Sequence, residues 1–493
     1  MDGRVFGTLA LTGTTVSVSV MALIGLWRPP AAVPRLDGPG PLPALPGGPP
    51  SDLAVTVLLW AAMVIGAAGI GCGLVAVRRG WRPRPGRLLA GGVLAVSVLV
   101  VAPPMGSTDP MDYAVYGRMA VLGHDPNVLT PARFRLTGDP VGLLAPPEWA
   151  NIPSVYGPLA TATQWAASRL GGTSAVLTVL WLKVWNGLAF LAVALALTRL
   201  ARPSPDRLIR VHLLWTLNPM MLWALIGGAH VDALAALFSV AALLSLTRGV
   251  SRTRGGSPSG TRHESTVWAG VLVGAAGAVK APYVLVGAGV VWALRRSPRG
   301  LTKFALGLIP VLVVAYVVLA PEAIAAALRR GRQPSWNTPW ELLALLGGRP
   351  GGMLLVAGSV ALAGGAALVL LRGLPEGSEP WLRPAMAISL AWVLTTPVYY
   401  PWYEALIFPM LALAPASRLD WVQLARMLVA TGGGLPGIVF RLGDSWLRSA
   451  VTNGPLSYVV PSALLILAVA LLTGAYLRSR RSTDIQDRIL VFT

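Results

Sequence analysis

The stretch LLAGGVLAVSVLVVAPPMGSTDPMDY, residues 88–113, changes character within a few positions. Residues 88–105 are almost wholly apolar, a run as long as a helix needs to cross a hydrocarbon core. The chain then turns through Pro103, Pro104 and Gly106 and sets Asp109 and Asp112 against the end of that run. Read as a soluble core helix, the run implies one fold; read as a membrane span, another. The rest of the chain decides. Hydrophobic residues make up 54% and charged residues 12%, and the mean hydropathy is +0.64, whereas soluble globular chains carry roughly a quarter charged residues. Apolar residues recur in blocks of about twenty. The fold class is therefore an all-α polytopic membrane protein.

Spans are predicted at 5–27, 53–77, 88–105, 174–198, 208–226, 231–247, 267–279, 283–294, 304–320, 351–371, 384–397, 402–416, 422–440 and 456–477, about fourteen in all. The first reads as a retained span, since no small-residue cleavage site follows it. The net charge of +20 does not mark a nucleic-acid binder. The arginines sit in short connections such as "RRGWRPRPGR", "RLARPSPDRLIR", "TRGVSRTRGGSPSGTRHE" and "RRSPRGLTK", and in the tail "RSRRSTDIQDR". All fall on one side if both termini are cytoplasmic, the positive-inside pattern. The single Cys72 excludes an intramolecular disulfide and a cysteine-ligated metal.

The opposite, outer side receives the long connections. Segment 106–173 follows the third span and is expected to form one or two helices lying on the membrane, starting near Pro110 and Tyr156. A second outer loop is 321–350, and the Pro/Gly-rich 28–52 reads as a tether. The connections around 248–266 and 295–303 should share the cytoplasmic side, which leaves room between them for only two short helices. A hairpin is predicted there, with its tip from Lys280 to Pro282 inside the membrane. Such breaks are tolerated where they line a cavity or are buried in protein.

Several residues can carry chemistry. Asp109 and Asp112 stand at i and i+3, on one helix face. A carboxylate at the membrane edge can serve as general base toward a hydroxyl; the structural alternative is a helix N-cap in "STDP". His230 and Asp232 follow a Gly-Gly break in an apolar span, where ionisable groups suggest function, or cap the helix as a polar pair. Lys280 either snorkels or offers an ammonium to phosphate. Arg329, Arg330 and Arg332 lie on the arginine-poor side, as a solvated loop or as forks for phosphate. "TTPVYYPWYEALIFP" gathers Tyr399, Tyr400, Trp402, Tyr403 and Glu404 as an interfacial aromatic belt or a sugar-stacking surface. No P-loop, dinucleotide fingerprint, zinc signature or hydrolase elbow is present.

Four segments in order, "STDPMDYAVYGRMAVLGHDP" with the following "PSVYGPLA", "NPMMLWALIGGAHVDAL", "AVKAPYVL" and "TPVYYPWYEALIFP", give the chain a family resemblance. It resembles the actinobacterial polyprenyl-phosphomannose-dependent α-1,6-mannosyltransferases, membrane glycosyltransferases of the GT-C class, over most of its length. The resemblance implies a GT-C-like bundle acting as one integral membrane domain over 1–493. The donor it implies is a polyprenyl phosphate carrying mannose, and the acceptor a glycan or glycolipid on the outer face. Inverting transfer would form an α-mannoside. Asp109 matches the family's acidic base, and Asp112 stands beside it where a small polar residue is expected. His230, Lys280, Arg329, Arg330 and Arg332 become candidates for the donor phosphate. Tyr113, Tyr156, Asp232, Tyr400, Trp402, Tyr403 and Glu404 become candidates for sugar binding. The chain departs from the family pattern at Tyr400, where His is expected, at Glu404, where an apolar residue is expected, and at the residue before Asp232. No cofactor is called for: the outer acids form no tight ligand cluster, and a divalent metal stays open. Alternatives are another polyprenyl-linked sugar donor (arabinofuranose or glucose), a lipid or sugar transporter, and a non-catalytic partner in envelope assembly.

Overall fold

The computed structural model describes residues 2–491 except 39, 252–259, 349–350, 378 and 453, and it is all-helical among them. The centre of the basic connection expected at 248–266 lies outside the described residues, as do the side chains of the tail beyond Arg480. Six described helices are long and apolar enough to cross a membrane: Gly3–Trp27, Asp52–Arg78, Ala175–Ala201, Pro298–Leu319, Gly352–Gly373 and Ser445–Arg480. Pro205–Thr216 and Pro219–Gly227, bent by 41°, make a seventh if taken as one span. Five shorter apolar helices follow the same pattern: Pro85–Val101, Asp232–Thr247, Glu264–Val279, Ala281–Leu294 and Leu382–Thr395.

The sequence count of about fourteen spans includes these shorter pieces and two segments of another kind. Segment 402–416 is not a span-length helix. It is the tight turn Pro401–Leu406, buried from Glu404 onward, followed by the short, buried helix Phe408–Leu413. Arg418–Gly433 carries buried Asp420, Gln423 and Arg426 through its middle. The predicted break at "VKAPY" is present: helix Gly260–Val279 ends, Lys280 is extended, and the chain resumes at Ala281–Val286.

Small residues let the long helices close. A Cβ on Gly13 would stand 2.9 Å from the Ile65 carbonyl oxygen and 3.0 Å from Gly69 Cα, so helices Gly3–Trp27 and Asp52–Arg78 touch backbone to backbone. In contrast, Pro298–Leu319 and Gly352–Gly373 present Leu306, Ile309, Val317, Leu354, Val360 and Leu368 outward. Exposed apolar surface of that extent needs a lipid environment.

Two ends can be told apart. At one, Arg82 pairs with Asp206 at 2.6 Å, and the start of the first helix lies against Arg79 and Trp81. At the other, the segment 106–173 is built of helices Asp109–Val121, Pro131–Arg135 and Pro158–Gly171. The two helices expected to start near Pro110 and Tyr156 are present as Asp109–Val121 and Pro158–Gly171, and the first lies within the protein rather than on its surface. Asp109–Val121 is buried from Asp109 through Gly117 and packs on Pro158–Gly171 and Ala175–Ala201. Gly117 shows why: a Cβ there would sit 2.2 Å from the Gln164 carbonyl oxygen. The expected tether is also docked in part. Asp37 caps helix Ala175–Ala201 by accepting from the Ala175 and Val176 N–H groups at 2.7 and 3.0 Å, and Ala31 and Ala32 are buried.

Candidate active site

Asp109 opens its helix without capping it. Thr108 holds the cap position with no side-chain cap bond, Pro110 starts the first turn, and the Asp109 N–H donates to Ser107 Oγ at 3.1 Å. The carboxylate is thereby left to face inward. Its Oδ2 lies 3.4 Å from the Tyr113 hydroxyl, one turn along, and 3.5 Å from His230 Nδ1. The Tyr113 hydroxyl is a hub, 3.0 Å from the Tyr156 hydroxyl and 3.1 Å from His230 Nδ1. Burial pushes the Asp109 carboxyl up from 3.8 to about 6, against the hydrogen bond from Ser107 and the charge of Lys280. Burial pushes Asp112 well above the carboxylate range, and the nearby Asp109 and Glu148 push the same way.

His230 is fixed from both sides. Its ring stacks on Trp402 with centroids 3.5 Å apart, and Trp402 stacks on Tyr400 at 4.7 Å. The preceding Ala229 has φ of +52°, a conformation disfavoured for a residue with a Cβ. The Asn186 side-chain amide donates to its carbonyl at 2.7 Å. Asp232 and Lys280 form a separate buried unit. The ammonium donates to both Asp232 oxygens at 2.9 Å, Tyr283 O–H donates to Oδ1 at 3.0 Å, and the Tyr403 ring lies 4.0 Å from Nζ.

Of the three loop arginines only Arg330 faces the site. It donates to the Tyr400 hydroxyl at 3.1 Å and sits 5.5 Å from the Trp149 ring centre. Arg329 and Arg332 are exposed. Glu404 does not reach the site, which corrects the expectation of a sugar-facing acid. It is fully buried, accepting from Tyr399 O–H at 2.7 Å, Arg426 at 3.1 Å and Gln423 at 3.3 Å.

Asp109 lines two cavities. The larger, about 420 Å³, is walled largely by apolar groups including Trp223, Trp336, Leu435, Val439 and Phe440, with Glu148 and Asn337 among the polar ones. The smaller, about 70 Å³, is walled by Asp109, Asp112, Arg330 and a set of tyrosines and tryptophans. A third, about 220 Å³, adjoins the large one at Thr108 and Phe440 and is lined by Arg35, Arg135 and Arg441 with no acid. Sequence reasoning missed these three arginines because they come from segments far apart in the chain. It also passed over Trp149 and Glu148, although "PPEW" places an aromatic and an acid together in the long loop. Among the described residues no group of three or more His, Cys, Asp or Glu side chains is placed to hold a metal ion.

A general base needs a carboxylate near its proton's source and a pKa near working pH. Asp109 has its carboxyl raised to about 6 by burial and lines the first two cavities, beside a phenol and imidazole network and an aromatic wall.

Comparison with known proteins then bears on the chemistry. The family described as alpha-(1->6)-mannopyranosyltransferase, N-terminal domain, matches residues 10–296. A probable alpha-(1->6)-mannopyranosyltransferase of Mycolicibacterium smegmatis is 25% identical over 395 residues, covering 72% of this chain and 71% of the relative. Alpha-(1->6)-mannopyranosyltransferase B of Corynebacterium glutamicum is 25% identical over 370 residues, or 68% of this chain and 60% of the relative. An alpha-(1->6)-mannopyranosyltransferase of Mycobacterium tuberculosis is 29% identical over 136 residues, 28% of this chain and 23% of the relative. No solved structure matches the chain.

Proposed function

The chain belongs to the alpha-(1->6)-mannopyranosyltransferase family, and from that premise we propose that it moves mannose from a polyprenyl phosphate to a glycan or glycolipid at the outer membrane face. The observation that carries the reading is Asp109: a buried carboxylate shared by an apolar cavity and a polar, aromatic one. An acceptor hydroxyl beside Asp109 gives its proton to the carboxylate as its oxygen attacks the anomeric carbon. The bond from that carbon to the phosphate oxygen breaks, and the electron pair leaves with the lipid phosphate. Attack from the face opposite the phosphate inverts the anomeric centre. Tyr113 and His230 orient the carboxylate through their contacts to Oδ2.

The large cavity's apolar walls suit the first units of a prenyl chain. The leaving phosphate needs positive charge rather than protonation. Lys280 is held bidentately by Asp232, so the arginines of the adjoining cavity, Arg35, Arg135 and Arg441, are the better candidates for that charge. Segment 106–173, as the outer loop carrying the base, and the cytoplasmic placement of both termini complete the reading. The arginine-rich connections at the opposite end support both.

The test uses membranes containing the wild type or Asp109→Asn at equal expression. Transfer from polyprenyl phosphomannose to a short α-1,6-mannoside is expected from the wild type. The variant is expected to fall by on the order of 10²–10⁴. Wild-type transfer that survives the substitution removes Asp109 from the base role. A wild type inactive with this donor but active with another polyprenyl-linked sugar overturns the mannose assignment.

A further inference from the structure

We propose that Asp112 is a substrate-binding residue whose carboxyl group receives a hydroxyl of the sugar acceptor in the small cavity. This deepens, and rests on, the assignment of Asp109 as base. Asp112 is only 3% exposed, yet neither of its oxygens has a hydrogen-bond partner within the protein. Buried polar groups are normally satisfied, and one left bare costs its full desolvation. Asp112 is nevertheless among the residues that line the small cavity, one helical turn from Asp109, so a side-chain rotation brings its carboxyl to the cavity wall. A ligand entering that cavity supplies the missing partner. Burial, with Asp109 and Glu148 close by, keeps the Asp112 carboxyl protonated to unusually high pH. A neutral acid both donates and accepts, which suits hydroxyls better than ions.

The rest of the wall selects the ligand class. Tyr116, Trp149, Tyr156, Tyr400 and Trp402 contribute aromatic surface, and aromatic faces pack against the C–H faces of a pyranose. Among the described residues Arg330 is the one guanidinium there, and it is already bonded to the Tyr400 hydroxyl and the Gln333 carbonyl. With an ionised Asp109 opposite, the cavity offers no net positive charge to a phosphate. A neutral polyol fits, and the donor's phosphate does not. Asp109 is shared with the apolar cavity, so an acceptor held at Asp112 can reach the base from the side away from the lipid.

The test uses the full-length protein in nanodiscs, with Asp112→Leu as the shape-conserving variant and Asp112→Asn as a second. A short α-1,6-mannoside is titrated against tryptophan fluorescence, which needs no turnover, and the Michaelis constants of donor and acceptor are measured separately. Expected for Asp112→Leu is an acceptor affinity weakened at least about tenfold, with the acceptor KM rising in step and the donor KM within about twofold; Asp112→Asn, which still donates and accepts, is expected to stay within a few-fold of the wild type. The melting temperature of Asp112→Leu is expected to match or exceed the wild type, because an unpartnered polar group has been removed. Should Asp112→Leu not fold, Asp112→Ala is read in the same way. Unchanged mannoside binding in the apolar variant, a change there confined to the donor KM, or a wild type that does not bind the mannoside each overturns the proposal. A wild type that binds the mannoside in an Asp112-dependent way, but does not accept polyprenyl phosphomannose, would defeat the donor assignment and leave this one standing.

Discussion

Asp109 is the position at which burial turns into a pH dependence. Burial disfavours the anion, so the carboxyl keeps its proton up to about pH 6 instead of losing it near 3.8. A general base acts only when deprotonated. The apparent second-order rate constant is therefore expected to be level above about pH 6 and to drop about tenfold per unit below it. A pH profile of mannose transfer at subsaturating acceptor checks this. Tyr113→Phe removes one hydrogen bond that favours the anion, so the limb is expected to move to higher pH, with a lowered plateau because one of the contacts that orient the carboxylate is gone. A limb that stays near pH 4 in the wild type would mean that the base is a solvated acid elsewhere. At this scale the sequence was informative: Asp109, Asp112, Tyr113, Tyr156, His230, Trp402 and Arg330 all come together around adjoining cavities. Their partners were not legible. The pairing of His230 with Trp402, and of Lys280 with Asp232, joins residues separated by long stretches of chain, and no local periodicity reports such contacts.

The turn Pro401–Leu406 explains at the level of an element why one expectation failed. With three residues per turn, Glu404 eclipses Pro401 and lies one turn, about 6 Å, further along. Pro401 lines the large cavity, and Glu404 lies beneath it in a fully buried pair with Arg426. The sequence "YYPWYE" gives the aromatic cluster but not the depth of its last residue. Breaking such a pair from one side leaves a buried charge and costs about 3–5 kcal/mol. Glu404→Ala is accordingly expected to lower the melting temperature in detergent sharply, while the fraction that remains folded keeps its acceptor KM. The double change Glu404→Gln with Arg426→Met is expected to recover most of the loss, since no charge is stranded. A raised acceptor KM with unchanged stability would restore Glu404 to the sugar site. The same reasoning covers the loop helix Asp109–Val121. A helix starting near Pro110 was readable, but its burial depends on the close approach at Gly117 to helix Pro158–Gly171, which composition does not reveal.

For the whole molecule, the reaction depends on which side of the membrane the cavities open to. Arg82 touching Asp206 joins two arginine-rich connections at one end, and the first helix starts there too. Asp109 and its cavities sit with segment 106–173 at the far end of helices such as Pro85–Val101. Lysine and arginine in short connections are retained on the cytoplasmic side, so the catalytic end is expected to face outward, where a flipped lipid-linked sugar is available and nucleotide sugars are not. The chain's single cysteine makes this directly measurable. In a Cys72→Ala background, Leu136→Cys places a thiol on an 86% exposed position of segment 106–173, and Arg299→Cys places one in the exposed basic connection 295–303. A membrane-impermeant maleimide added to intact protoplasts is expected to label the first and to reach the second only after permeabilisation. The reverse pattern would turn the cavities toward the cytoplasm. The carrier would then have to be used on the face where it is loaded, and the case for an outer glycan acceptor would fall with it, while the geometry at Asp109 stayed as it is.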